Sequence, residues 1–183
     1  MPRCGRVVAV CHSLQHGLPK LSHPFGVVGP FGLDNDAHAR EIRYSSRREV
    51  YEPNTRHILI VAQEALLAIN DLLGLSLGPG DFGENLLVEG LGDLSDVPNG
   101  TTVRINDSVI LRVSEQCQPC KSLVEYHRHP DLLKASLGRR GLLTTVVSGV
   151  GQVLKSGQVI ELMIPAKNTA VGPKFPSQEA THG

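Results

Sequence analysis

The sequence has no surplus of charge. Lysine and arginine together number 18, aspartate and glutamate also 18, so the formal net charge is zero. A general nucleic-acid or membrane-surface binder needs an excess of positive charge, which this chain lacks. It also lacks long apolar runs, and nothing approaches the roughly 18 residues of a membrane span. The opening Met1-Pro2-Arg3-Cys4-Gly5 leads into a short apolar strand without a secretory core and cleavage site. A cytoplasmic location is therefore expected. No internal repeat is evident. Cysteines stand only at 4, 11, 117 and 120, and without an export signal the reduced state is the default.

What is present fits one domain. The chain has 183 residues, 40% of them hydrophobic, enough for a core without disulfide or metal staples. Residues 1–165 are expected to form the domain, and the polar, proline-bearing stretch 166–183 a flexible tail. Strand patterns dominate. Val7 to Val10 and Ile58 to Val61 are short, apolar and β-branched, as buried strands tend to be. Thr101 to Ile105 and Ser108 to Val113 flank Asn106-Asp107, whose tolerance of positive φ predicts a tight hairpin. A second hairpin is expected around Lys155 to Gln158, leading into Val159 to Met163. Ala62, Leu66, Ile69 and Leu73 follow helical spacing, and Gly74 is placed to end that helix. Pro130 to Leu137, followed by Gly138, reads as a short helix. Residues 11–56 read as a long, strand-poor loop rich in His, Gly, Pro and Arg. The expected fold is mostly β, an antiparallel β-barrel with a few short helices.

Three clusters could carry chemistry. Cys120 follows Gln118-Pro119 just beyond a strand, and its thiolate would be a strong nucleophile and a soft metal ligand. The ordinary alternative is a cysteine that fills space in the core. Cys117 and Cys120 also have the spacing of a dithiol redox motif, which needs a βαβ unit with the motif opening a helix. Here the motif follows an antiparallel hairpin, and no long helix is expected directly after it. His127 and His129 leave a zinc site open, although their H-x-H spacing is unusual for one. In the second cluster, Asp36 and His38 precede Arg40, Arg43, Arg47, Arg48 and Arg56. Arginine forks suit phosphate oxygens, while a solvated basic loop is the plainer reading. The third is Gly80-Asp81-Phe82-Gly83-Glu84-Asn85-Leu86, either a ligand-facing loop or a plain turn entering a strand.

In order and spacing these clusters resemble the MOSC family, the module of molybdenum-cofactor sulfurases and their relatives. Gly32 to Ala39 looks like the family's Gly-Asp-x-His segment, and Pro53 to Ile58 like its arginine-led strand. Gly83-Glu84-Asn85-Leu86 is similar to its most recognisable motif, with Gly90-Leu91 following. Gln118-Pro119-Cys120 stands where the family carries its Pro-Cys, and Gly141 and Gly151 to Leu162 fit its closing stretch. The likeness runs from about Gly5 to Leu162. Asn35 and Arg40 stand where glycines are usual, and Gln158 replaces a common Asp.

The resemblance implies a barrel-like fold associated with the molybdenum cofactor. Cys120 would ligate molybdenum or hold sulfur as a persulfide. Asp36 and His38 would join it as catalytic groups. Arg43, Arg47, Arg56, Gly83, Glu84 and Asn85 would bind the cofactor. One implied function is an oxidoreductase acting on N-hydroxylated compounds. Another is a sulfur carrier for cofactor sulfuration, fed by a sulfur-donor substrate. The sequence holds no electron-input domain and no PLP-binding desulfurase domain, so an electron-transfer or desulfurase partner protein is expected. A redox or zinc module built on Cys117 and Cys120 is the third alternative.

Overall fold

The computed structural model describes residues 2–45 and 48–165. Arg47 and the tail 166–183 lie outside them. The chain opens with β1 (Arg3–His12), then β2 (Leu21–His23), β3 (Phe25–Gly29), β4 (Gly32–Leu33), β5 (Ile42–Ser45) and β6 (Val50–Pro53). Next come β7 (Ile58–Ala62), α1 (Gln63–Leu73), β8 (Leu86–Glu89), β9 (Thr102–Ile105) and β10 (Val109–Gln116). Helices α2 (Lys121–His127) and α3 (Leu132–Ala135) precede β11 (Leu142–Ser148), β12 (Val153–Lys155) and β13 (Val159–Met163).

Seven strands close into a barrel in the order β13-β9-β10-β11-β7-β8-β1, with β1 pairing back onto β13. The expected mostly-β barrel is therefore what the chain forms. It is mixed rather than purely antiparallel, because β7 and β8 run parallel. A parallel pair needs a crossover, and α1 supplies part of it. No helix among the described residues is long and apolar enough to cross a membrane.

β7 shows how sequence makes two cores at once. All five of its residues are buried, and side chains alternate across a strand. Ile58 and Ile60 fill the barrel interior with Leu86, Val103, Ile105 and Leu142. Leu59 and Val61 face outward, under the helices, with Leu66, Ile69, Phe82 and Leu123. This second, outer core sets the floor of the site described below. Helix α1 ends at Gly74 as its spacing predicts, with the left-handed conformation (φ 64°) that closes a helix.

Two local expectations are corrected. The stretch 11–56 is not strand-poor, because it holds β2 to β6. These pieces are two to five residues long, too short for alternation to show. The turn at Lys155 to Gln158 forms, but its arms are not a hairpin: β12 pairs with β3, whereas β13 joins β1 and β9. A turn signal says where the chain bends and not which partner each arm finds. The segment after Cys120, where no long helix is expected, enters only the seven-residue α2. The hairpin at Asn106 is also as expected, with β9 paired to β10 and Asn106 at φ 46°.

His57, buried just before β7, is fixed in one tautomer. Nδ1 accepts the Val146 N–H at 3.0 Å, so Nε2 carries the proton and donates to the Asn54 carbonyl at 2.7 Å. Burial lowers its pKa, against the opposing Asn54 bond. The folded state therefore prefers the neutral ring. Its stabilisation is present above the ordinary histidine value of about 6.5 and is lost progressively as pH falls below that value, through the lowered folded one. The urea midpoint is expected to fall between about pH 7.5 and about pH 5.5. His12 and His16 are shifted the same way, so the informative comparison is His57→Gln, whose midpoint should fall less. An equal fall in both chains would contradict this assignment.

Candidate functional site

A cavity of about 400 Å³ lies outside the barrel wall, over β7 and β11. Cys120, Asn85, Gly83, Arg56 and His38 all line it, although they come from four separate parts of the chain. Leu18, Leu59, Phe82 and Leu143 give it an apolar side. Asp36 stands directly behind the wall, bonded to His38 and Asn85.

The cysteine segment follows β10. The Cys117 N–H donates to the Gly141 carbonyl at 2.9 Å, after which Pro119 cannot donate and the chain leaves the sheet. Cys120 is extended, exposed and caps the seven-residue α2. Cys117 is half-buried in the same cavity. Burial pushes its thiol up, against the charges of Arg140 and Arg56, which pull it down. All four cysteines are free. Strands β10 and β11, on either side of the motif and its helices, are antiparallel, so the motif does not sit in a βαβ unit. His127 donates from Nε2 to the Asp81 carbonyl at 2.8 Å. Among the described residues, no three metal-binding side chains converge. That donor set does not suit structural zinc.

The Asp36 network is denser than its sequence suggests. The Lys20 ammonium lies 2.7 Å from Asp36 Oδ2, and both side chains are almost fully buried. Asn85 Nδ2 donates to the same Oδ2 at 2.9 Å, and the His38 N–H donates to Oδ1 at 2.9 Å. His38 Nδ1 is 3.3 Å from Oδ1. Burial alone would raise the Asp36 carboxyl, but the bonds from His38 and the Lys20 charge outweigh it. The carboxyl is held below the usual carboxylate range. Asn85 also accepts the Leu59 N–H and donates to the Cys11 carbonyl, tying β7, β1 and Asp36 together. Behind it the Cys11 thiol is fully buried and pushed up to about 12, chiefly by burial.

Gly80 to Asn85 wraps one side of the cavity. Gly80 has φ 87°, and a Cβ there would lie 1.8 Å from the Lys20 carbonyl oxygen, so only glycine fits. Glu84 does not line the cavity. Its carboxylate is wholly buried and accepts the N–H groups of Gly80 and Phe82, holding the loop that carries Gly83 and Asn85. Burial raises its pKa, and those N–H bonds oppose the rise.

The arginines divide. Arg56 sits on the cavity rim with its fork on Glu115, Nε to Oε1 at 2.6 Å and Nη2 to Oε2 at 3.0 Å. Arg43 and Arg48 both pair with Glu52. Arg43 does not reach the Cys120 cavity but lines an adjoining groove of about 480 Å³. Arg40, His38 and Arg56 share that groove, as do Tyr44 and Tyr51. Asn35, in place of a glycine, takes the left-handed conformation at φ 65°.

Two cavity residues escape the sequence reading, Lys20 and Arg140. Lys20 lies in the segment read as irregular, 16 positions before its partner. Arg140 lies in Gly138-Arg139-Arg140-Gly141, where an arginine pair between glycines was the available signal.

A barrel closed by one parallel pair, with a cysteine-bearing cavity on its outer wall, describes a MOSC-type domain. The MOSC domain model matches residues 40–161, well over half of the chain, and the protein belongs to the MOSC family. No curated protein matches the sequence. Among solved structures, the YuaD protein from Bacillus subtilis is 20% identical, over 88% of this chain and 97% of that one, with a TM-score of 0.78. YiiM from Geobacillus stearothermophilus is 22% identical over 86% of this chain and 72% of its own, with a TM-score of 0.61. YiiM from Escherichia coli is 20% identical over 88% and 71%, also at 0.61. At these identities the likeness is one of fold. MOSC domains are associated with molybdenum-cofactor binding.

Proposed function

We propose that this MOSC protein binds the molybdenum cofactor through Cys120 and acts as an oxidoreductase on small N-hydroxylated compounds. The observation that supports this best is Cys120 itself, an exposed thiol on the wall of a cavity shared with Arg56, His38 and Asn85. The residues present suit the group. A thiolate is a soft ligand fit for a thiophilic metal. The adjoining groove offers Arg40, Arg43 and Arg56 for a phosphate, and the rings of Tyr44 and Tyr51 for a flat heterocycle.

When bound, molybdenum supplies the capacity to accept an oxygen atom from the substrate. The rest falls to the chain. Asp36, itself held by Asn85, faces His38 on its Nδ1 side, leaving Nε2 of this half-exposed ring to hold or pass a proton. Leu59, Phe82 and Leu143 exclude water from one side of the cavity. Electrons come from a separate redox partner protein.

The test is turnover of an aromatic amidoxime to its amidine by protein made in a cofactor-producing host, with a chemical reductant as electron source. Turnover that disappears in Cys120→Ser supports the proposal. A loaded protein without turnover, or a metal-free one carrying extra sulfur on Cys120, would favour the sulfur carrier.

The groove arginines make a separate prediction. Arg43→Lys and Arg56→Lys keep the charge but lose the planar fork. Each is expected to weaken cofactor retention by about ten- to a hundredfold, the worth of one charge-assisted hydrogen bond. Cofactor content per chain after gel filtration measures this. Unchanged content in both variants would leave these arginines as partners of Glu52 and Glu115 only.

A further inference from the structure

Arg140 is a buried cation with no carboxylate in direct contact. The residue is only 6% exposed, yet it lines the Cys120 cavity. Its Nη1 donates to the Phe82 carbonyl at 2.6 Å, and its guanidinium carbon stands 5.0 Å from the Phe82 ring centre. Its Nε is buried with no hydrogen-bond partner. Among the described residues, no carboxylate lies within ion-pair distance of it. The other cations of the region differ: Lys20 has Asp36, Arg43 has Glu52 and Arg56 has Glu115. Glu84, the buried acid of the neighbouring loop, is near enough to attract Arg140 through space, but it makes no ion pair and its carboxylate is bonded to the amides of Gly80 and Phe82. Folded interiors avoid an unpaired buried charge because its desolvation is uncompensated. Arg140 lines the cavity wall with part of its guanidinium unpaired, and an anion in the cavity would restore the balance.

The cavity also says what carries the anion. Leu18, Leu59, Phe82 and Leu143 form an apolar side, and about 400 Å³ holds one small molecule. Arg140 does not line the arginine groove proposed for the phosphate, so the cofactor leaves it unclaimed. On the reading that the Cys120 cavity is the working site, we infer that Arg140 recognises the substrate. That substrate is a small N-hydroxylated compound that also bears a carboxylate, the carboxylate on the guanidinium beside Cys117 and Cys120 and the apolar body against the leucines and Phe82.

The experiment is calorimetric titration of metal-free protein with benzoate and with benzamide, its uncharged counterpart of similar shape. The native chain is expected to bind benzoate at least about tenfold more tightly than benzamide. Arg140→Gln keeps a donor for the Phe82 carbonyl but loses the charge, and its preference should fall to about unity. Arg140→Lys keeps the charge without the fork, and should lose about tenfold in benzoate affinity. If Arg140→Gln fails to fold by thermal melting, the lysine variant decides. Equal binding of the two probes by the native chain would overturn the assignment, as would an undiminished benzoate preference in the folded variants. Loss of molybdenum from Arg140→Gln made in a cofactor-producing host would instead make Arg140 a cofactor residue and overturn it too. Benzoate preference in a native chain that never loads molybdenum would uphold Arg140 and overturn only the proposed function.

Discussion

Replacing Lys20 by methionine is expected to cost about 3–5 kcal/mol of folding stability, the usual cost of removing one partner of a buried ion pair. Methionine fills much of the same space, so the loss reports charge rather than volume. Asp36 would stay buried with only the bonds from His38 and Asn85. Lys20→Met combined with Asp36→Leu should recover part of the loss, because no lone charge remains. Urea unfolding of the three chains measures this, and a loss below about 1 kcal/mol in Lys20→Met would contradict it. The pair also has a pH signature. The Asp36 carboxyl is depressed, since the His38 bonds and the Lys20 charge outweigh the effect of burial. Its stabilisation is present above the ordinary aspartate value of about 3.9 and lost progressively as pH falls below it.

Cys120→Ser is expected to abolish loading of molybdenum or sulfur, whereas Cys117→Ser leaves it nearly intact. A serine hydroxyl is hard and protonated, a poor substitute for a soft thiolate. Metal ligation or persulfide storage needs one positioned thiolate, and dithiol redox chemistry needs two. Cys120 is exposed at the start of α2, while Cys117 is half-buried and its thiol is raised by burial. Equal loss in both variants would contradict this and revive the dithiol reading.

The parts of the fold legible in the sequence are those governed by local periodicity and turn chemistry. Most of β7 reads as the apolar run Ile58 to Val61, α1 as helical spacing closed by Gly74, and β9–β10 as two strands around Asn106. Pairing partners were not legible, because the contacts that send β12 to β3 and β13 to β1 span most of the chain. The site divides on the same line. Cys120, His38, Asn85 and Arg56 belong to recognisable motifs, and the fold gathers them at one cavity. Lys20 and Arg140 belong to none. What distinguishes them is burial, and burial of a cation is a property of the folded state that no short window of sequence displays. Glu84 shows the reverse: it belongs to a motif, but its carboxylate serves the loop backbone and does not line the cavity.

Cys120, the proposed anchor of the molybdenum cofactor, is tested by the molybdenum content per chain of native protein and Cys120→Ser, both purified from a cofactor-producing host. Molybdenum is expected in near-equal amount to native chain, with essentially none in a folded Cys120→Ser. Zinc in place of molybdenum, or equal molybdenum in the two chains, would contradict it.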